Sequence, residues 1–166
     1  MTLPILNIIA QAILFILPAY FANASPVVIG KLTKGKWPID FGKKFFDNRP
    51  IFGPGKTWPG LFAGISVGTF VALLQHRPLI VGFLLALGAL LGDLTKSFFK
   101  RRLGIESGKP WPIADQLDFT IGALLLVSIV EKPSLEITAT ILILTPLIHL
   151  CANIIAYLLK LKKEWY

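Results

Sequence analysis

The sequence has little that titrates and almost nothing that can crosslink. Its 166 residues include one cysteine, Cys151, so no intrachain disulfide can form. There are two histidines, His76 and His149, and no Cys/His cluster that would suit zinc. Charged residues make up 16%, where a soluble domain carries about a quarter. Acids are scarcer still, nine Asp and Glu against seventeen Lys and Arg, for a net charge of +8. No internal repeat and no low-complexity tract is visible. These shortages exclude a disulfide scaffold, a zinc module and a water-exposed globule. What remains is 54% hydrophobic, with a mean hydropathy of +0.69. In so apolar a chain, the positive charge fits anionic lipid heads rather than nucleic acid.

The apolar residues gather into runs near 4–25, 58–75, 78–97, 114–131 and 135–158. A membrane-crossing helix needs about 20 such residues. The expectation is an all-α integral membrane protein of about five spans, forming one domain over 1–166. The first run lacks a basic leader and is too long for a cleaved signal peptide. Seven basic residues lie in loop 31–57, among them Lys31, Lys43, Arg49 and Lys56. Loop 98–113 and the turn before it hold Lys96, Lys100, Arg101, Arg102 and Lys109, and the tail adds Lys160, Lys162 and Lys163. Only Arg77 and Lys132 lie on the other side. This asymmetry predicts an outside N-terminus, a cytoplasmic C-terminus and both long loops in the cytoplasm.

Pro18 should kink the first span and free carbonyls that neighbours or water must satisfy. Ala22-Asn23-Ala24-Ser25-Pro26 reads either as a small polar surface for a lipid headgroup or as a frayed helix end. Trp37 to Phe46 interleaves aromatics with lysines, as membrane-skimming segments do. Gly53-Pro54-Gly55-Lys56-Thr57 carries the Gly-Lys-Thr of a phosphate loop. Position 50 is proline where that motif needs glycine, and no βαβ unit surrounds it. A helix N-terminus flanked by glycines, a lysine and a hydroxyl can nonetheless hold a phosphate group. His149 stands alone among apolar residues and reads as a packing residue. Lys160 to Tyr166 reads as an interfacial anchor.

The acids are placed more tellingly than their number suggests. Asp93, Asp115 and Asp118 sit at one end of two neighbouring apolar runs, at one depth by the helical rise of 1.5 Å per residue. Asp93, Lys96, Ser97 and Lys100 make one stripe at i, i+3, i+4, i+7, and Asp115 and Asp118 share a face. Carboxylates at that depth need either lysine partners or divalent cations, and oxygen-only ligands favour Mg²⁺. No Ser-His or Cys-His pair is present, which suits phosphoryl or nucleotidyl transfer, where positioning and cations supply the catalysis.

Ser97-Phe98-Phe99-Lys100-Arg101, Glu106-Ser107-Gly108, Pro112 and Asp115-Gln116-Leu117-Asp118 together resemble the phosphatidate cytidylyltransferase superfamily. The compact form, with Gly92-Asp93-Leu94 and Gly55-Lys56-Thr57-Trp58, is similar to its archaeal CDP-archaeol synthase branch. The superfamily's His-Gly-Gly is missing, and its Asp-Arg-x-Asp has become Asp-Gln-x-Asp. The resemblance implies Mg²⁺-dependent cytidylyl transfer from CTP to 2,3-di-O-geranylgeranylglycerol 1-phosphate at the cytoplasmic face of a cell membrane. It implies metal ligation by Asp93, Asp115 and Asp118, and catalysis by these with Lys100. Nucleotide binding falls to Lys56, Thr57, Lys96, Ser97, Lys100, Arg101 and Lys109, with Asn23, Asp40 and the aromatic loop as further candidates for lipid or nucleotide contact. A CTP-dependent polyprenol kinase is a competing reading. So is an ion or phosphate transporter, although carboxylates at one mouth and no inverted repeat speak against it.

Overall fold

The computed structural model describes residues 3–161, and the chain is all-helical. Five helices follow in order: α1 Leu3–Leu32, α2 Trp58–Leu74, α3 Leu79–Arg102, α4 Ala114–Val127 and α5 Leu135–Leu158. Two long loops, 33–57 and 103–113, meet at one end of the bundle, here the loop end. The short α2–α3 and α4–α5 connections form the turn end. Lys162, Lys163, Trp165 and Tyr166 of the expected anchor lie outside the described residues.

Length departs from the expected spans in an informative way. Three segments, Pro4–Leu32, Leu79–Arg102 and Leu135–Leu158, are long and apolar enough to cross a membrane. At 17 and 14 residues, α2 and α4 reach only about 26 and 21 Å. Helix α1 continues through Pro26 instead of fraying. The carbonyl that Pro26 deprives of its amide, Ala22 O, packs on Gly64 of α2, only 2.7 Å from where a Cβ would stand. Helix α3 runs past residue 97 because its last turn, Lys100-Arg101-Arg102, complements the negative helix end. The last carbonyls are also bonded from outside: Arg49 Nη1 donates to Arg102 O at 2.5 Å and to Arg101 O at 3.3 Å.

The carbonyls near Pro18 are satisfied by neighbours, as expected. Lacking an N–H, Pro18 leaves Leu14 O without its helical donor, and Gln75 Nε2 donates to it at 2.9 Å. Phe15 O, crowded by the same ring, accepts from Arg77 Nη1 at 3.0 Å. The α2–α3 turn thus repairs the break in α1.

Small residues fill the core. Ala12, Ala19 and Ala22 of α1 meet Ala86 and Ala89 of α3, with Phe119 and Ile141 closing the cluster. Without a hydrophobic force between helices in lipid, such side chains let backbones approach to van der Waals contact. Helices α3 and α4 cross most closely. A Cβ on Gly92 would run into Asp118 O, and one on Gly122 would lie 2.9 Å from Gly92 Cα. That crossing sets the two acidic ends side by side.

Candidate active site

The loop end begins with Asp40. Its carboxylate accepts from the backbone N–H groups of Gly42, Phe52 and Gly53, each at 3.0 Å. Burial raises its pKa, but these three donors outweigh that and hold it below its usual value. Ile39 N donates to Lys56 O at 2.8 Å, and Trp58 N to Trp37 O at 3.0 Å, so residues 37–40 bind alongside 52–58. Gly53 takes a φ of +99°, which side chains rarely adopt. Asp40 therefore organises the glycine loop and does not itself line the cavity.

Arg102 is also committed to structure. It pairs with Asp47 at 3.1 Å, donates to Pro50 O at 2.5 Å and lies over the Phe45 and Phe98 rings. Thr57, expected at phosphate, instead caps α2, its hydroxyl accepting from Gly60 N at 3.2 Å. Trp37 and Phe41 are exposed and Phe46 is 97% exposed.

Under this lid lies a cavity of about 280 Å³. The polar stripe of α3 forms one wall with Asp93, Lys96, Ser97 and Lys100, as its spacing predicted, and Arg101 joins it. Asp115 and Asp118 face it from α4, Lys56 from the glycine loop, and Ser107 and Lys109 from loop 103–113. The carboxylates do converge, and the point on which they converge is Lys96. Its Nζ lies 2.8 Å from Asp115, 2.9 Å from Asp118 and 3.3 Å from Asp93. Lys56 pairs with Asp93 from the other side, and Lys100 with Asp115 at 2.8 Å.

Two groups in the cluster are left unsatisfied. Asp118 Oδ2 is buried and makes no hydrogen bond. Its 2.9 Å approach to Lys96 is an ion pair off the hydrogen-bonding direction, since Lys96 hydrogen-bonds only to Asp115. Among the described residues, Arg101, 8% exposed, has an unpartnered Nε and no salt bridge. Where α4 begins, Ile113 is held at φ +68°, strained for a β-branched residue, and Asp115 Oδ2 pins the turn by accepting from Trp111 N at 2.6 Å.

Among the described residues, no three His, Cys, Asp or Glu form a ready metal cage. Lysine pairing, one of the two compensations expected from the sequence, is what holds the carboxylates here. The donor set still fits a hard divalent cation: three carboxylates on one centre, one with a buried and unbonded oxygen.

A second cavity of about 690 Å³ opens between α3 and α4. Its lining is almost wholly apolar, including Leu91, Phe99, Ile121 and Leu125. It touches the polar cavity at Lys96 and Asp118, which line both.

Comparison with known proteins decides the family. The family model for CarS-like CDP-archaeol synthase matches residues 5–79 and 76–166. The chain belongs to the CDP-archaeol synthase family. It is 44% identical to a CDP-archaeol synthase of Methanococcus aeolicus, covering 98% of this chain and 99% of that one. To that of Pyrococcus abyssi it is 48% identical, over 95% and 98%. A solved structure described as an intramembrane enzyme for archaeal membrane lipids biosynthesis superposes with a TM-score of 0.78 at 42% identity, covering 88% of this chain and 94% of that one. Such a fold, with its long apolar helices, makes this family member a multi-pass membrane protein.

The polar cavity also holds residues outside the carboxylate cluster, of which Asn153 was not singled out in the sequence and His149 was read only as a packing residue. His149 and Asn153 of α5 line it with Asn23 of α1. Thr145, His149 and Asn153 recur at i, i+4, i+8, a stripe that was open to view in the sequence.

Proposed function

We propose that the protein transfers a cytidylyl group from CTP to a prenyl-ether glycerophosphate, giving CDP-archaeol and pyrophosphate. One observation carries this reading: a cationic polar cavity and an apolar groove meet at Lys96 and Asp118. A nucleotide fits the first and lipid chains the second, so their phosphates meet where the cavities join.

The lipid phosphate is already anionic, so no protein nucleophile or base is needed. One of its oxygens attacks the α-phosphorus of CTP. The bond from that phosphorus to the α–β bridging oxygen breaks, and pyrophosphate leaves with the electron pair. Arg101, Lys100 and Lys109 face the charge that grows on the leaving group. Lys96 and Lys56 hold the carboxylates in register and can turn to phosphate oxygens. Asp93, Asp115 and Asp118 would hold Mg²⁺, which when bound supplies Lewis-acid polarisation of the phosphates. The basic asymmetry of the loops supports a cytoplasmic loop end and an outside N-terminus. In that arrangement, α2 and α4 complete five spans, the short α4 leaving its acids inside the membrane edge.

The test uses purified protein with CTP labelled in the base, Mg²⁺ and either a prenyl-ether or an acyl glycerophosphate. A lipid product carrying cytidine, with pyrophosphate released, is the expected outcome. A lipid carrying only phosphate would make the protein a kinase.

A further inference from the structure

We infer that segment 34–46 docks on the anionic lipid heads of the bilayer surface, with the Phe46 ring in the interface and Lys43 and Lys44 on the head groups. This surface lies outside both cavities, and the inference does not depend on the reaction. Depth supports it first. Phe99 lies twenty residues beyond Leu79, the first residue of α3, or about 30 Å along the axis. A hydrocarbon core is about 30 Å thick, so the last turn of α3 reaches head-group level. The segment is fastened to that turn. Arg49 Nη1 donates to Arg102 O at 2.5 Å, and Arg102 Nη2 donates back to Arg49 O at 3.3 Å. A chain of rings makes the same join: Phe46 meets Phe45 at 5.0 Å between centroids, Phe45 meets Phe98 at 5.3 Å, and Phe98 meets Phe99 at 5.6 Å. Phe99 in turn lines the apolar groove, so the rings run from that groove to the exposed tip of the segment.

The chemistry of the segment agrees. Trp37, Phe41 and Phe46 expose their rings, and exposed apolar surface of this kind marks a contact with protein or membrane. Charge decides between the two. Lys34, Lys36, Lys43 and Lys44 are exposed in the same segment. The nearby acids are turned elsewhere, Asp40 to backbone amides and Asp47 to Arg102 at 3.1 Å. The segment thus offers rings and ammonium groups without free carboxylates, which suits anionic heads at the edge of a hydrocarbon layer. A second copy docked on the same face would set lysine against lysine.

Nitroxide depth measurements on the whole protein test the inference, in vesicles of phosphatidylcholine alone or of phosphatidylcholine mixed with phosphatidylglycerol. The exposed Cys151 is replaced by Ala, and a label is attached through Phe46→Cys or, on the other long loop, through exposed Glu106→Cys. The label at position 46 should be open to oxygen and shielded from a water-soluble nickel chelate, more so with phosphatidylglycerol, and the label at position 106 should not. A lysine near an anionic surface is worth about fivefold in binding, so Lys43→Gln with Lys44→Gln should cut the docked-to-free ratio on the mixed vesicles by about 25-fold. The unlabelled protein gives a second readout, since amide exchange across 43–46 should be slower on the mixed vesicles. A label at position 46 as open to the chelate as that at position 106 overturns the inference. Equal shielding and equal exchange in the two vesicles overturn the assignment to anionic lipid. Shielding that fades as the protein is diluted in lipid would give the surface to a second copy and overturn it as well.

Discussion

Both ends of the bundle bury charge, and they do so in opposite ways. At the turn end, Arg77 pairs with Glu131 at 2.8 Å, donates to Phe15 O and lies over the Phe15 ring at 4.5 Å. Gln75 closes the neighbouring carbonyl. This cluster sits on no described cavity and repairs a proline break. At the loop end, three carboxylates converge on Lys96, with Lys56 and Lys100 pairing two of them from the sides, and among the described residues Asp118 Oδ2 has no hydrogen bond and Arg101 no salt bridge. Charges that are closed on one another hold a fold together. Charges that line a cavity and share their counter-ions hold a fold together less completely.

The contrast can be broken at either end. Asp118→Asn should lower turnover by on the order of 10³-fold, comparable to the loss of other charged groups that stabilise phosphoryl transfer, since it would weaken the proposed metal site. Its melting temperature in detergent should change little, because Lys96 keeps Asp93 and Asp115 as partners. A large loss of stability there would put Asp118 among the scaffold residues. Arg101→Ala should raise the KM for CTP about tenfold with little change in lipid KM, measured by varying each substrate separately. Arg77→Met should do the reverse, costing roughly 1–3 kcal/mol of stability while kcat stays at the wild-type value. If Arg77→Met silences the enzyme without destabilising it, the two ends are not distinct.

The smallest effect belongs to Asp40. Its carboxyl sits below its usual value in the fold, so its contribution to stability is present above the unfolded pKa and fades as pH falls through the folded one. In Asp40→Asn that acid limb should flatten, and amide hydrogen exchange at Phe52 and Gly53 should quicken. An unchanged acid limb and unchanged exchange would mean that the loop does not depend on this carboxylate.

Much of the site could be read in the sequence because it lies on helices. Period fixed Asp93, Lys96, Ser97 and Lys100 on one face, and rise fixed the three aspartates at one level. Both follow from local geometry alone. Lys96 as the hub of the carboxylates could not be read, because that depends on how closely α3 and α4 cross at Gly92 and Gly122. The capping role of Thr57 could not be read, because an N-cap hydroxyl and a phosphate-binding hydroxyl look alike in sequence. Asp40 looked like a ligand contact for a similar reason: its partners are backbone amides twelve and thirteen residues away. The α5 stripe through His149 and Asn153 was legible but was passed over, since a lone histidine in a bundle usually packs.

The central claim is that the two cavities deliver two substrates to one point. A structure determined with CTP and a prenyl-ether glycerophosphate analogue tests it most directly. The account predicts the nucleotide in the polar cavity, apolar chains between α3 and α4, and both phosphates beside Lys96 and Asp118. Apolar chains seated on any other helix pair, or a nucleotide away from the Lys96 cluster, would contradict it.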